Sequence, residues 1–265
     1  MSIKSFKDIM NLHGLIGQDE SDWYQHQNGG GWIKKTAYVN KTVYVGPYAI
    51  VYGKALVSGK AKINGTAQIY GTVRIWDEVK VYGNAIVGGN AVLFDNVEIY
   101  DNAKIYDNVV VVDEAMVAGE AIIYDNVRVY DNARIYGKAR AFDDVHVGNN
   151  ARVYENAVLF HKTKIRGNAC VYGNACVKGS SIIRGYVQIC GEAEVVDKIY
   201  EGNIIVSTAT YKGLKTKDNQ SKKIESNLTP EVPKYNSSCP ICGSPAQDLI
   251  FKIYCSKTGC QNYHP

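Results

Sequence analysis

No stretch of about 18 consecutive apolar residues occurs anywhere in this chain, so the sequence offers no membrane-crossing helix. The opening MSIKSFKDIM lacks a signal-peptide apolar core. Charge of one sign is missing as well. Against 30 basic residues stand 26 acidic ones, a formal net charge of +4 that announces no strongly charged partner. These gaps lead us to expect a soluble, cytoplasmic protein without membrane contact. Histidine is scarce at five residues, and cysteine, at seven, is unevenly placed. Four cysteines crowd the last 27 residues, while Cys170, Cys176 and Cys190 are expected to be free thiols.

What the chain has in plenty is repetition. Residues 123–139 read IYDNVRVYDNARIYGKA, one six-residue phrase run three times. With the phase set at Ile33, 28 hexads follow one another to Tyr200 with no insertion or deletion. The first position is Val, Ile or Leu except at Ala141, and the fifth is Ala or Val except at Thr163, Ser181 and Ile199. A period of 3.6 cannot keep those positions on one face, but a short strand can. Positions five and one lie two apart and point one way; positions six and two point the other. Positions three and four, rich in Gly, Asp and Asn, supply the tight bends. Three strands and three corners make a triangular coil of 18 residues. Stacked at about 4.8 Å, roughly nine coils form a prism some ~45 Å long.

The phrases VYGNAI, IYDNAK and VYGNAC resemble the hexapeptide repeat of left-handed parallel β-helix proteins. The resemblance covers about two thirds of the chain. It implies an all-β, left-handed parallel β-helix with the fold of bacterial hexapeptide acyltransferases, and the left hand comes from the family rather than from the period. Tyrosine usually replaces the family's second-position glycine. The entry YQHQNGGGWIKKTAYV is similar to that of VYGNA-type repeat proteins of unassigned function.

The expected organisation is an N-terminal cap over 1–32, the repeat and its C-terminal cap over 33–206, a linker over 207–238 and a metal module over 239–265. Within the first cap, residues 3–13 are expected to form a short helix closing the first coil with Phe6, Ile9 and Met10. Residues 199–211 slip out of phase and are expected to cap the other end. The linker is polar, Lys-rich and carries Pro230 and Pro233.

Residues 18 apart share a column, so the outer walls can be read directly. One wall carries Tyr52, Tyr70, Tyr106, Tyr124, Phe142 and Phe160, beside a column with Ile50, Ile86, Ile122 and Val158. Such a strip is either an aromatic ladder that stabilises the sheet or a subunit interface. The resemblance adds that many family enzymes are trimers, which makes a homo-oligomer the expected state, with Ile86, Tyr106, Ile122, Tyr124, Phe142, Val158 and Phe160 as contact residues. A second wall sets Arg134 and Arg152 beside Tyr136, Tyr154 and Tyr172, with Lys62 and Lys80 below. Nucleic acid is one use of that pattern, but Glu98 and Met116 interrupt it and a solvated face is favoured.

The resemblance also raises acyl transfer, where a histidine serves as general base in a cleft between subunits. The repeat holds two histidines, His146 and His161, too few for a three-histidine zinc site. His161 stands one coil above Asp143, so Asp143, His146 and His161 are the candidate catalytic set. No loop interrupts the hexads to shield such a site from water, and the favoured reading is a non-catalytic scaffold for protein binding or self-assembly.

Residues 239–264 read CPICGSPAQDLIFKIYCSKTGCQNYH. The pairs Cys239/Cys242 and Cys255/Cys260 fit a tetrahedral structural Zn2+, and CPICG resembles a zinc-ribbon knuckle turning at Gly243. His264 is the substitute candidate for one ligand, and disulfides are the alternative. DLIFKIYC is expected to supply one hairpin arm. So few residues bury too little core alone, so the metal would provide folding energy. This module is a further candidate contact for a protein partner.

Overall fold

In the computed structural model the described residues are 5–207 and two short strands, Gln247–Leu249 and Lys252–Tyr254. The chain divides into two compact units, Met1–Lys215 and Thr216–Pro265.

Within the first unit, strands of two or three residues fall in rotation on three parallel sheets, from Trp32–Lys34 to Ile205–Val206. Taken in chain order, the first sheet receives Trp32–Lys34, the second Tyr38–Val39 and the third Tyr44–Val45. Each strand pairs with the third one after it, as Ile86 does with Lys104 and Lys104 with Ile122. This is a three-sided parallel β-solenoid. The 28 hexads supply 28 strands, and Ile199–Tyr200 and Ile205–Val206 add two more, which completes ten coils.

Alternation decides what goes inside. Ala121 and Ile123 are fully buried, whereas Ile122 and Tyr124 between and beside them face outward and are half-buried. The same holds along the tube, so the interior is a column of branched and small side chains. Each buried Val or Ile contributes on the order of 1.5–3 kcal/mol.

The corners have their own logic. From Gly53 to Asp197 the third position has positive φ, and nine of the twelve non-glycine residues that adopt it are aspartates. Their side chains explain the choice. Amides at positions six, two and four donate to carbonyls of the next coil, as in Ile86 to Ala103 (2.9 Å), Gly88 to Ile105 (2.8 Å) and Asn90 to Asp107 (2.7 Å). Where an aspartate stands one coil earlier, the third-position amide is served differently, by its carboxylate. Asp131 N–H donates to Asp113 (2.9 Å), and Asp143 N–H donates to Asp125 (3.1 Å). Aspartate therefore tolerates the left-handed backbone and also satisfies the next coil. Beside it, Asn90, Asn108, Asn126 and Asp144 pass side-chain hydrogen bonds of 3.0–3.2 Å up the fourth position.

At the N-terminal end, helix α1 spans Phe6–Leu12, started by a reciprocal cap between Ser5 and Asp8. Phe6, Ile9 and Met10 are buried as expected, but against the outward-facing Trp32 and Ile50 rather than across the mouth of the tube. The mouth needs something else. Its exposed strand edges require hydrogen-bonding partners, which a helix cannot give. Strand β1 (Trp23–Gln25) supplies them by running antiparallel to β2 (Trp32–Lys34). The following loop covers the neighbouring edge, with Val45 N–H donating to Asn28 and Gly31 N–H donating to Val45 (2.9 Å each).

At the other end the hexad phase breaks. Ile182 pairs with Ile199, a spacing of 17 rather than 18, because the corner at Asp197 (φ 51°) lacks its fourth position. Ile199, which the unbroken count places inside, is outward and 66% exposed. Tyr200 takes the inward place and packs on the core. The slip expected over 199–211 is therefore one missing residue, after which the solenoid continues to Val206.

In the second unit, Gln247–Leu249 and Lys252–Tyr254 pair antiparallel, Gln247 opposite Tyr254. DLIFKIYC thus contains strand residues of both arms of a hairpin rather than one. The four cysteines expected to hold zinc, Cys239, Cys242, Cys255 and Cys260, lie outside the described residues, as do His264 and all but Ser207 of the linker expected over 207–238.

Candidate functional site

The candidate catalytic set is brought together only in part. Asp143 and His161 meet at the corner between the first and second sheets, in a shallow open recess also lined by Asp144, Lys162, Gly179 and Ser180. The Asp143 carboxylate does not orient the imidazole; it accepts the backbone N–H of His161 at 2.9 Å. His161 itself occupies the left-handed position (φ 60°) that aspartate or glycine fills at most other corners, and its ring stands edge-on to Phe160 with centroids 4.6 Å apart. The carboxylate of Asp144 accepts from the Asn126 amide at 3.1 Å. His146 is not in the recess. It projects from the second sheet, where burial, then Arg128, Lys164 and Arg166, hold its pKa below the usual histidine value, and Asp144 opposes them only weakly.

On the first sheet Tyr124, Phe142 and Phe160 stack at 5.1 Å between centroids, and Tyr52 and Tyr70 at 5.3 Å. The ladder breaks at Gly88, over which Tyr70 leans: an added Cβ would fall 2.4 Å from its Cζ. All seven expected contact residues are half-buried by their neighbours. The neighbouring column is less apolar than expected, because Lys104 and Arg140 alternate with Ile86, Ile122 and Val158. Ile50 is fully covered in the cluster formed with α1.

On the third sheet Tyr136, Tyr154 and Tyr172 stack at 5.0 Å with nearly parallel planes. Burial pushes the Tyr136 hydroxyl up to about 12 and raises that of Tyr154 as well. The Tyr172 hydroxyl donates to Gln188 (3.1 Å), and Lys80 pairs with Glu98 at 2.7 Å. These rings spend their flat faces on one another, which leaves little for a base to stack on.

Sequence reasoning misses Arg128, Lys164 and Arg166, which surround His146 on the second sheet. The signal was present, since 128, 146 and 164 are spaced by 18. Among the described residues no three His, Cys, Asp or Glu side chains are grouped to hold a metal ion. Cys239, Cys242, Cys255 and Cys260 fall outside those residues, so the expected zinc ligands are untouched by that statement. Among the described residues, too, no helix is long and apolar enough to cross a membrane.

A model of the YdcK β-solenoid repeat matches residues 121–137. No curated protein matches the chain. Among solved structures, a Francisella novicida UDP-N-acetylglucosamine acyltransferase superposes with a TM-score of 0.46 at 17% identity, over 60% of this chain and 66% of that one. A UDP-N-acetylglucosamine O-acyltransferase from Moraxella catarrhalis RH4 gives a TM-score of 0.30 at 18% identity, over 64% and 69%. The chain thus spans about two thirds of the length of either enzyme.

Proposed function

We propose that this chain is a non-catalytic scaffold: a left-handed β-solenoid that self-associates through its first sheet and carries a tethered zinc module at 239–265. The observation that carries the proposal is the role of Asp143. Its contact to His161 repeats the contacts of Asp113 to Asp131 and Asp125 to Asp143, so the pairing that resembled a catalytic base is one more turn of the structural corner. The stacked Tyr124, Phe142 and Phe160 strip gives a flat wall for a second copy, and three copies about an axis is the expected assembly. Sedimentation equilibrium at micromolar concentration tests this, with a trimer expected. A monomer that persists at high concentration removes self-association.

The recess holding His161, Asp143 and Lys162 supports a second reading, acyl transfer from acetyl-CoA or a related donor. Any ligand that binds the folded chain must raise its melting temperature. The scaffold reading expects acetyl-CoA to leave the melting temperature unchanged; a saturable rise lost in His161→Ala would favour the transferase.

A further inference from the structure

The second sheet carries a cluster of basic side chains around one aromatic ring that no other ring covers among the described residues. Arg128, His146 and Lys164 stand in register on three successive coils, and Arg166 projects from the same strand region as Lys164. On the third sheet Lys80 is held by Glu98, and on the first Lys178 is held by Glu194. Farther along the second sheet Arg184 is held by Glu201 at 2.6 Å. Among the described residues Arg128, Lys164 and Arg166 have no such partner. Their charge is spread over two coil steps, about 10 Å, with Asp144 the acidic group near His146 at its centre.

In the middle of this group stands a glycine. Gly148 contributes no side chain, and the Tyr130 ring lies across it, with an added Cβ falling 2.1 Å from Cε2. No other ring stacks on Tyr130 among the described residues. Trp76 and Phe94 hold the equivalent outward column lower on the same sheet, with centroids 6.5 Å apart and tilted planes. Cations at one end and flat rings along one column suit a ligand with a charged backbone and aromatic side groups. A rigid flat wall has no element to enter a duplex groove, whereas an unpaired strand can lay its bases onto the rings. Outside the described residues the sequence holds five lysines and one aspartate between residues 212 and 223, a rival source of attraction that the test must separate from the sheet.

We propose that the second sheet binds single-stranded nucleic acid, with backbone phosphates on Arg128, Lys164 and Arg166 and a base stacked on Tyr130. The contacts are sequence-tolerant, since every base presents a π-face and the cations read only phosphate.

The test is fluorescence anisotropy of a labelled oligothymidylate titrated with the full chain at low and raised salt. Binding weakened by salt is expected. Arg128→Ala/Lys164→Ala/Arg166→Ala should weaken it by about tenfold or more and reduce the salt slope by about 0.7 for each phosphate no longer neutralised. Tyr130→Ala should weaken binding with the slope retained, while Tyr130→Phe restores it and Lys62→Ala on the third sheet leaves it unchanged. Melting curves of each variant matching the parent confirm that the fold is kept. Absence of binding at low salt overturns the proposal. So does undiminished binding by the triple variant, which would assign the attraction to the lysines at 212–223. Displacement by polyglutamate as effective as by unlabelled oligothymidylate, together with indifference to Tyr130→Ala, also overturns it, in favour of an acidic protein.

Discussion

The carboxylate of Asp143 accepts the backbone amide of His161 at 2.9 Å, and the amide of Asp143 in turn donates to Asp125 at 3.1 Å. One residue is thus acceptor for the coil above and donor to the coil below. Asp143→Ala should cost about 1 kcal/mol, the net value of a part-exposed hydrogen bond. Asp143→Asn should cost less, because Asn149 already serves Gly167 in the same way through its side-chain oxygen (3.1 Å). Urea midpoints of the two variants check the order.

At His161 a side chain sits in a conformation that glycine adopts freely (φ 60°). His161→Gly should leave stability unchanged or raise it by up to about 1 kcal/mol, through relief of left-handed strain. A catalytic role would show instead as lost activity in a folded variant. A clear fall in melting temperature would mean that the edge contact with Phe160 outweighs the backbone term.

Neighbouring isoleucines on one strand should behave differently. Ile123 is fully buried and Ile122 faces outward. Ile123→Ala should destabilise by about 2–4 kcal/mol through the smaller buried area and the cavity left behind. Ile122→Ala should cost under about 1 kcal/mol in the isolated chain, yet should weaken self-association if the first sheet is the contact. Denaturation at low concentration and sedimentation at high concentration separate the two effects.

Acid should loosen the N-terminal cap. His13 is buried with Nε2 2.7 Å from the Tyr48 carbonyl, and burial holds its pKa below the ordinary 6.5, the hydrogen bond opposing in part. The unfolded chain then binds more protons than the folded one, so stability is full above pH ~6.5 and falls as the pH drops below it. His13→Gln should flatten that slope in melting curves between pH 7 and 5. At the alkaline limit the sign reverses. Burial raises Tyr136 to about 12 from 10, so its contribution holds below pH ~10 and fades toward 12. Tyr136→Phe should remove that share of the alkaline transition.

The four C-terminal cysteines give a separable prediction. One zinc per chain is expected in reductant-treated protein, lost in Cys239→Ser/Cys242→Ser and equally in Cys255→Ser/Cys260→Ser. Chelation should leave the main melting transition in place, since the solenoid core is built without them. Elemental analysis alongside circular dichroism reads both.

Most of the tube could be read from the chain because stacking enforces a rule at every hexad. A misplaced polar side chain at an inward site such as Ile105 or Ala103 would be buried at once, so the pattern is kept and visible. Where that rule stops acting, legibility stops too. The missing residue after Asp197 follows from no periodicity, because the last coil has no coil above it among the described residues to enforce register. The placement of α1 was hidden because Phe6, Ile9 and Met10 fit any apolar surface, whether the mouth of the tube or Trp32 and Ile50 outside it. At Asp143 the columns showed proximity to His161 but not which atoms meet. Backbone amides leave no trace in a side-chain pattern, and here the amide won the carboxylate.

Strand β1 reverses direction against β2, and this gives the prism a finished end. A second prism arriving there meets an antiparallel strand on the first sheet where a parallel coil would be needed, which works against joining nose to tail. For the self-association proposed above, that leaves the flanks, and the number of subunits would then be set by how the flanks fit together rather than by how much protein the cell makes.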